Sequence, residues 1–196
     1  VYANSLNNAF ISDDIPAILK NPNISHPSRS WLDAAVLFNS FNYLIAGYEP
    51  FIYHLTNIIL HSLNTILVFF FLRLFFKTKP SLLAACLFAV HPIHAEAVTW
   101  VSGRPYIFTS LFILAGYLFY YHSTAVKSDK RINLARYIAC LFIFAYYIIA
   151  NISFYFIFPF FLILSDITFN RWRRNWKLWL PFLGIVILRL LLARNV

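Results

Sequence analysis

The sequence predicts an all-α integral membrane protein, a polytopic helical bundle of about six spans and one interfacial helix, since each span needs about 20 apolar residues. The first observation is composition: 61% of the 196 residues are hydrophobic and 12% are charged. Soluble domains have roughly 45–50% apolar and about 25% charged residues. A water-soluble fold of this size could not bury so much apolar surface, whereas a bilayer accepts it. The second observation is the regular alternation of apolar runs with short basic loops.

The first 50 residues are predicted to form a non-cytoplasmic loop that ends in an interfacial helix. Residues 1–30 are polar and interrupted by prolines, which is typical of a loop. Residues 31–47, WLDAAVLFNSFNYLIAG, are only partly apolar and carry aromatic residues at their flanks. This pattern is typical of a helix that lies in the headgroup plane. Gly47 is expected to end that helix, and Pro50 to begin the next one.

Residues 51–196 are predicted to form the transmembrane bundle. The expected spans are residues 51–76, 81–101, 105–121, 134–150, 152–168 and 177–192. Pro92 is expected to bend the second span, and Asn151 to join the fourth and fifth spans in a tight hairpin. Cys86 and Cys140 both lie in apolar runs, so we expect small buried hydrophobic residues rather than a disulfide or a zinc cluster.

Charge is distributed unevenly over the two sides that these spans define. Eleven of the sixteen Lys and Arg residues fall in three loops on one side, and the positive-inside rule places that side in the cytoplasm. Five of the seven acidic residues fall on the opposite side. Because the basic residues are dispersed over these loops, the net charge of +9 does not indicate nucleic-acid binding. The acidic residues on the outer side are candidates for a functional site.

Two adjacent carboxylates, Asp13 and Asp14, lie in the outer loop. Neighbouring side chains in an extended chain alternate in direction, so the two cannot point at one spot. One carboxylate could act as a general base or metal ligand while the other shapes the loop. The alternative is ordinary solvated turn chemistry.

A polar stripe runs along the first span. His54, Asn57, His61 and Asn64 follow one another at steps of three or four residues, which places them on one helix face. Such a stripe faces protein or a water-filled cavity rather than lipid. It lines a cavity under one interpretation and supplies hydrogen bonds between helices under the other.

The block HPIHAE, residues 91–96, places His91, His94 and Glu96 at the outer end of the second span, and Arg104 follows at the membrane surface. Ionisable groups at this depth usually mark a site. The spacing is not that of a zinc protease helix, although a divalent metal held by the two histidines is an open alternative to hydrogen bonding. A guanidinium matches phosphate oxygens in a bidentate manner, whereas a structural role would be snorkelling to lipid headgroups.

Three blocks in this order resemble one family. They are YANSLNNAFISDDIPAILKNPNI, FNYLIAGYEPFIYHLTNIILHSLN and LFAVHPIHAEAVTWVSGRPYIFTSLF, with a looser match at PFFLILSD. The chain resembles the membrane half of the transmembrane O-mannosyltransferases with tetratricopeptide repeats, in the C-type glycosyltransferase superfamily. The positions of a Lys-Glu pair in that family hold Ile152 and Ser153 here.

The resemblance implies transfer of mannose, or a related sugar, from a polyprenyl or dolichyl phosphate to Ser/Thr hydroxyls of an acceptor protein. It implies catalysis by Asp13 or Asp14 and site roles for His91, His94, Glu96 and Arg104. Combined with the residue chemistry above, we expect donor-phosphate binding by Arg104, a sugar pocket at His91, His94 and Glu96, and a cavity lined by His54, Asn57 and His61. It also implies an endoplasmic reticulum or bacterial inner membrane with a non-cytoplasmic active face. The sequence assigns no cofactor, and a divalent metal stays open.

Two alternatives of other classes accompany this interpretation. One is a catalytically degenerate scaffold or lipid-linked-sugar binding protein of the same fold, which the missing Lys-Glu pair favours. The other is a small transporter, which is disfavoured because the polar residues gather on one side of the bilayer. We further expect the chain to be part of a longer protein with another span before it and repeats after it.

Overall fold

The computed structural model describes residues 1–25, 33–124, 129–149 and 156–193. Over these ranges the chain is helical, and it divides into two units, Val1–Leu114 and Ala115–Val196. The division falls within one helix. The helical class predicted from composition is therefore confirmed for the described residues.

Residues 1–25, here called the outer segment after their predicted side of the membrane, are more ordered than the sequence predicts. A 3-10 turn covers Tyr2–Ser5, a π-helical turn covers Ile15–Leu19, and the short helix α1 covers Pro22–Ser25. The prediction of a loop over residues 1–30 missed these turns, because prolines suit the first turn of a helix, where their missing N–H costs nothing. Ile18 of the π-helical turn is fully buried and packs with Tyr53 and Val101.

Helix α2 covers Ala34–Ala46, which confirms a helix in the segment predicted to be interfacial. The Asp33 carboxylate caps it by accepting from the N–H groups of Ala35 and Val36 at 2.8 and 3.1 Å. Gly47 ends it with a φ of 61°. The polar face of α2 is buried, and its apolar face, with Leu37, Phe41, Leu44 and Ile45, is exposed. That polarity suits contact with lipid; a position in the headgroup plane stays a prediction.

Helix α3 covers Pro50–Leu72 and is long and apolar enough to cross a membrane. Helix α4, Thr78–Val90, packs against it. After a 3-10 turn at Pro92–His94 the chain continues in α5, Ala95–Thr99. The segments on either side of this break are bent by 47°, which confirms the bend expected at Pro92.

The remaining helices are α6 (Arg104–Ser123), α7 (Lys130–Ile149), α8 (Ile157–Thr168) and α9 (Trp172–Ala193). Among the described residues, α3 and α7 are long and apolar enough to cross a membrane, and the bent pair α4–α5 would make a third. Six spans therefore stay a prediction. Asn151, Ile152 and Ser153 lie outside the described residues, as does the expected hairpin.

Aromatic rings form the core of the second unit. Phe144, Phe158 and Phe182 contact one another with ring centroids 5.1 to 5.7 Å apart. The two cysteines have different environments. Cys140 of α7 is buried, as predicted, but Cys86 of α4 is exposed. The prediction for Cys86 was wrong because an apolar run shows that a segment avoids water, and not which of its faces packs against protein.

A buried carboxylate also holds the second unit together. Asp166 is 2% exposed, and its Oδ1 accepts from the Asn175 amide at 2.9 Å. Its Oδ2 accepts from the Tyr120 hydroxyl and the Trp179 indole N–H at 2.5 and 2.9 Å. Three donors compensate for burial of this carboxylate, so Asp166 joins α6, α8 and α9.

Candidate functional site

The two adjacent carboxylates of the outer segment have opposite environments. Asp14 is fully buried: its Oδ1 accepts from the Ser102 hydroxyl at 2.6 Å and from the Ser102 N–H at 2.8 Å. Its Oδ2 accepts from the Ile11 N–H at 3.2 Å. Asp13 is exposed. Asp14 therefore fastens the outer segment to the turn before α6, and Asp13 presents a carboxylate at the surface.

A tight turn sets this arrangement. Ser12 has a φ of 49°, a left-handed conformation that is uncommon for residues other than glycine. The Asp13 carbonyl then accepts from the Ala17 N–H at 3.0 Å at the start of the π-helical turn. Asp13 and Asp14 therefore lie in a turn, and not in the extended chain that the sequence analysis assumed for them. The contacts of Asp14 hold the loop to Ser102; a catalytic role for either carboxylate stays a prediction.

Arg104 lies at the start of α6 and is fully buried. Its Nε donates to Asn57 Oδ1 at 2.7 Å, one terminal nitrogen donates to the Tyr53 carbonyl at 3.0 Å, and the other donates to Asn39 Oδ1. All three partners are neutral oxygens on α2 and α3. In this structure the guanidinium joins three helices, and its donor-phosphate role stays a prediction.

The polar stripe of α3 faces inward, as expected under both interpretations. His54, Asn57 and His61 are buried, and each side chain bonds to a backbone carbonyl of another segment. The accepting carbonyls belong to Asn8, Trp100 and Ala89, at 3.1, 3.0 and 3.2 Å. Asn64 likewise donates to the Ile107 carbonyl at 2.9 Å. These bonds agree with the interpretation in which the stripe supplies hydrogen bonds between helices. His54 also lines the cleft described below.

The histidines of the HPIHAE block lie beside the same stripe. The half-buried His94 ring is 5.3 Å from His61 and 6.1 Å from His91, between ring centroids. His91 and Glu96 are exposed. Nowhere in the described ranges do three His, Cys, Asp or Glu side chains come together to hold a metal ion, so the His91–His94 pair has no third ligand there. A sugar-pocket role for these residues stays a prediction.

Tyr2 closes this group from the outer segment. Its ring lies edge-on to His61 at 5.4 Å, and its hydroxyl donates to the His91 carbonyl at 3.0 Å. Burial raises the pKa of the Tyr2 hydroxyl above its ordinary value, so the proton needed for this bond is retained at neutral pH. The outer segment is therefore fastened at two points, Tyr2 and Asp14.

A cleft of about 250 Å³ opens between the outer segment and the turn after α5. Its lining residues are Asn8, Ala9, Ile11, His54, Thr99 and Trp100. Of the three residues predicted to line a cavity, only His54 lies in its wall. The sequence analysis did not select Trp100. It lies in the block LFAVHPIHAEAVTWVSGRPYIFTSLF, but it belongs to no motif of polar residues.

Ser102 and Gly103 were also missed, although both precede Arg104 directly. Ser102 holds Asp14, and Gly103 permits close packing: a Cβ built there would lie 3.0 Å from the Ala97 carbonyl oxygen and 3.1 Å from the Ala97 Cα. The signal available in the sequence was the run Ser-Gly-Arg between two helices. The small residue lets α5 approach the turn that carries both anchors.

Replacing Gly103 with Ala is expected to destabilise the protein by about 1–3 kcal/mol, because the new methyl group meets backbone that must shift. The measurement is thermal unfolding of the full-length protein in lipid nanodiscs. Gly184→Ala is the matched control, since no atom lies within 4 Å of its added Cβ. Equal unfolding temperatures for the two variants would contradict the close-packing role of Gly103.

These observations define a helical membrane protein whose first 25 residues carry one exposed and one buried carboxylate and border a cleft. Comparison with known proteins confirms the resemblance seen in the sequence. The chain is 38% identical over 144 residues to the protein O-mannosyl-transferase TMTC3 of Homo sapiens, which covers 62% of this chain and 16% of that protein. It is 36% identical over 142 residues to Tmtc1 of Drosophila melanogaster, which covers 61% and 16%. A third relative, Tmtc3 of Drosophila melanogaster, is 31% identical over 172 residues, covering 66% and 19%.

The chain thus spans less than a fifth of the length of these curated relatives. No protein-family model matches the chain. No solved structure matches it either. The resemblance therefore concerns one part of longer proteins that are named protein O-mannosyl-transferases.

Proposed function

We propose that this chain is part of a membrane glycosyltransferase that transfers mannose, or a related sugar, from a polyprenyl or dolichyl phosphate to Ser/Thr hydroxyls of proteins. The observation that carries the proposal is the similarity to relatives named protein O-mannosyl-transferases. The geometry supports it in one respect. The Asp14 carboxylate accepts three hydrogen bonds within the protein, whereas its neighbour Asp13 is exposed.

In the proposed reaction the acceptor hydroxyl oxygen forms a bond with the anomeric carbon of the sugar. The bond from that carbon to the phosphate oxygen breaks, and the phosphate leaves with the electron pair. The Asp13 carboxylate accepts the hydroxyl proton as a general base. Asp14, through Ser102, holds the turn that presents Asp13. General-base catalysis needs an accessible carboxylate, and Asp13 is the exposed member of the pair.

Binding of the donor phosphate requires a positively charged group, and the sequence analysis predicts Arg104 for this role. In this structure Arg104 is fully buried and three of its five N–H groups already donate within the protein, so contact of the other two with a phosphate requires the residues that cover them to move. Positive charge near a leaving phosphate stabilises the charge that develops on it. His91, His94 and Glu96 are proposed to contact the sugar from the other side of the α3 stripe.

The test is transfer of radiolabelled mannose from a mannosyl-phosphoryl-polyprenol to a Ser/Thr peptide by the full-length protein in liposomes. A peptide with Ala at every Ser and Thr is the control. Label in the first peptide and none in the second is expected. Binding of the donor without transfer would instead support the lipid-linked-sugar binding alternative. If the protein neither binds nor transfers any sugar donor, the scaffold alternative is supported.

The active face is proposed to be non-cytoplasmic, in the endoplasmic reticulum membrane, on the charge distribution of the loops. Single cysteines replacing Asp13, Glu96 and Arg171 in a cysteine-free background test this with a membrane-impermeant thiol reagent. We expect the first two to be labelled from the non-cytoplasmic side and the third from the cytoplasm. Labelling of all three from one side would overturn the proposed sidedness.

A further inference from the structure

We infer that one end of the second unit binds the headgroups of anionic phospholipids. This end, here called the basic end, carries six cations at the start of α7 and around the start of α9. They are Lys130, Arg131, Arg171, Arg173, Arg174 and Lys177. The inference does not depend on the proposed function. Position, exposure and charge each support it.

Helices α7 and α9 begin at the same end of the unit. The Tyr137 hydroxyl of α7 donates to the Leu178 carbonyl of α9 at 2.8 Å. Further along both helices, the rings of Phe144 and Phe182 lie 5.4 Å apart between centroids. Because the contacts advance together along the two helices, the helices run in the same direction. Two basic segments that are separate in the sequence thus meet at one end.

The apolar surface next to the basic end is that of a membrane segment. Helix α7 is long and apolar enough to cross a membrane, and two cations occupy its first turn. On α9 one face carries Trp172, Trp176, Leu180 and Ile187, which are 43 to 56% exposed. Tryptophan is enriched at the boundary between headgroups and acyl chains, and aliphatic residues are enriched beyond it. This face of α9 therefore passes from the headgroups into the acyl chains, with the cations at the headgroup level.

Two exposed cations of α9 have donors available for a ligand. The charged groups of Arg173 and Lys177 lie 5.2 and 5.5 Å from the ring centres of Trp172 and Trp176. Within the described residues these two cations make no hydrogen bond and no ion pair through their side chains. A tryptophan ring in the interface supports the cation over its face, while the cation extends towards the headgroups. Phosphate oxygens are the acceptors at that level.

Charge selects an anionic lipid. The second unit has two acidic residues, Asp129 and Asp166. The first accepts from the Arg131 N–H at 2.6 Å at the start of α7, and the second is buried among its three donors. Five of the six cations are exposed, so positive charge is in clear excess at the surface. Clusters of four to eight Lys and Arg beside a span attract lipids such as phosphatidylserine, whereas phosphatidylcholine has no net charge.

The test measures quenching of tryptophan fluorescence by brominated lipids in the full-length protein, reconstituted in phosphatidylcholine. Brominated phosphatidylserine is compared with brominated phosphatidylcholine, and the variant Trp172→Phe/Trp176→Phe gives the signal of all other tryptophans. We expect the serine lipid to reach half-maximal quenching at the lower mole fraction. In Arg173→Gln/Lys177→Gln that mole fraction should rise about fivefold or more, since each cation near the surface contributes about fivefold.

Lys77→Gln/Lys79→Gln is the matched control, because it removes the same charge from two exposed positions of the first unit. It should leave the quenching of Trp172 and Trp176 unchanged. A second measurement needs no variant: salt at 1 M shortens the range of charge attraction to about 3 Å, so the preference of the wild type for the serine lipid should weaken. Thermal unfolding confirms that both double variants are folded.

Three results would overturn the inference. Equal quenching of the wild type by the two lipids would leave the basic end to an acidic protein partner or to membrane topology alone. A preference that survives Arg173→Gln/Lys177→Gln would place the anionic lipid elsewhere. An equal loss in the control would show that net charge, and not this end of the unit, attracts the lipid.

Discussion

Asp13→Asn is expected to lower kcat for sugar transfer by about 10²- to 10⁴-fold, the usual contribution of a general base. An amide has no proton affinity to take up the hydroxyl proton, and it otherwise has nearly the shape of the carboxylate. Because Asp13 is exposed, stability should stay within about 0.5 kcal/mol of the wild type. The measurements are the transfer assay and thermal unfolding on the same preparation.

Asp14→Asn is the matched variant, one residue away. It replaces a buried carboxylate that accepts three hydrogen bonds, so it should lower stability by about 1–3 kcal/mol and reduce activity through the displaced turn. Ser102→Ala should reproduce a part of that loss. A fully active Asp13→Asn beside a folded but inactive Asp14→Asn would reverse the two roles.

Arg104→Met is expected to destabilise the protein by about 3 kcal/mol or more, because each buried acceptor left without its donor costs about 1–3 kcal/mol. The substitution leaves Asn39 Oδ1, Asn57 Oδ1 and the Tyr53 carbonyl without their donor. It also removes the positive charge that acts on the buried Asp14. Thermal unfolding in nanodiscs measures the loss, and trypsin cleavage at Lys20 should accelerate as the outer segment loosens.

Lys79→Met is the control, because it removes one cation from an exposed position and should change stability by less than about 0.5 kcal/mol. Arg104→Lys keeps the charge but loses the planar fork that reaches three acceptors, so an intermediate loss is expected. If Arg104→Met is as stable as the control and shows only a higher KM for the donor, Arg104 binds phosphate and is not an anchor.

Only a part of the candidate site was predictable from the sequence. Periodicity placed His54, Asn57 and His61 on one inward face, because 3.6 residues per turn is a local property of the helix. The bend at Pro92 was predictable for the same reason, since proline acts on its own turn. Ser102 and Trp100 were not found, because neither belongs to a local motif: Ser102 donates to Asp14, 88 residues away in the chain, and the Trp100 carbonyl accepts from Asn57, 43 residues away.

The sequence by itself determined the helical class, the apolar helices, the end of α2 at Gly47 and the resemblance to protein O-mannosyl-transferases. These depend on composition, local periodicity and short motifs. Only the tertiary structure decided which carboxylate of Asp13 and Asp14 is free, what the guanidinium of Arg104 holds and where a cleft opens. The physical reason is that burial and hydrogen-bond partners arise from contacts between segments far apart in the chain, and the same residue type serves an anchor or a site according to those contacts.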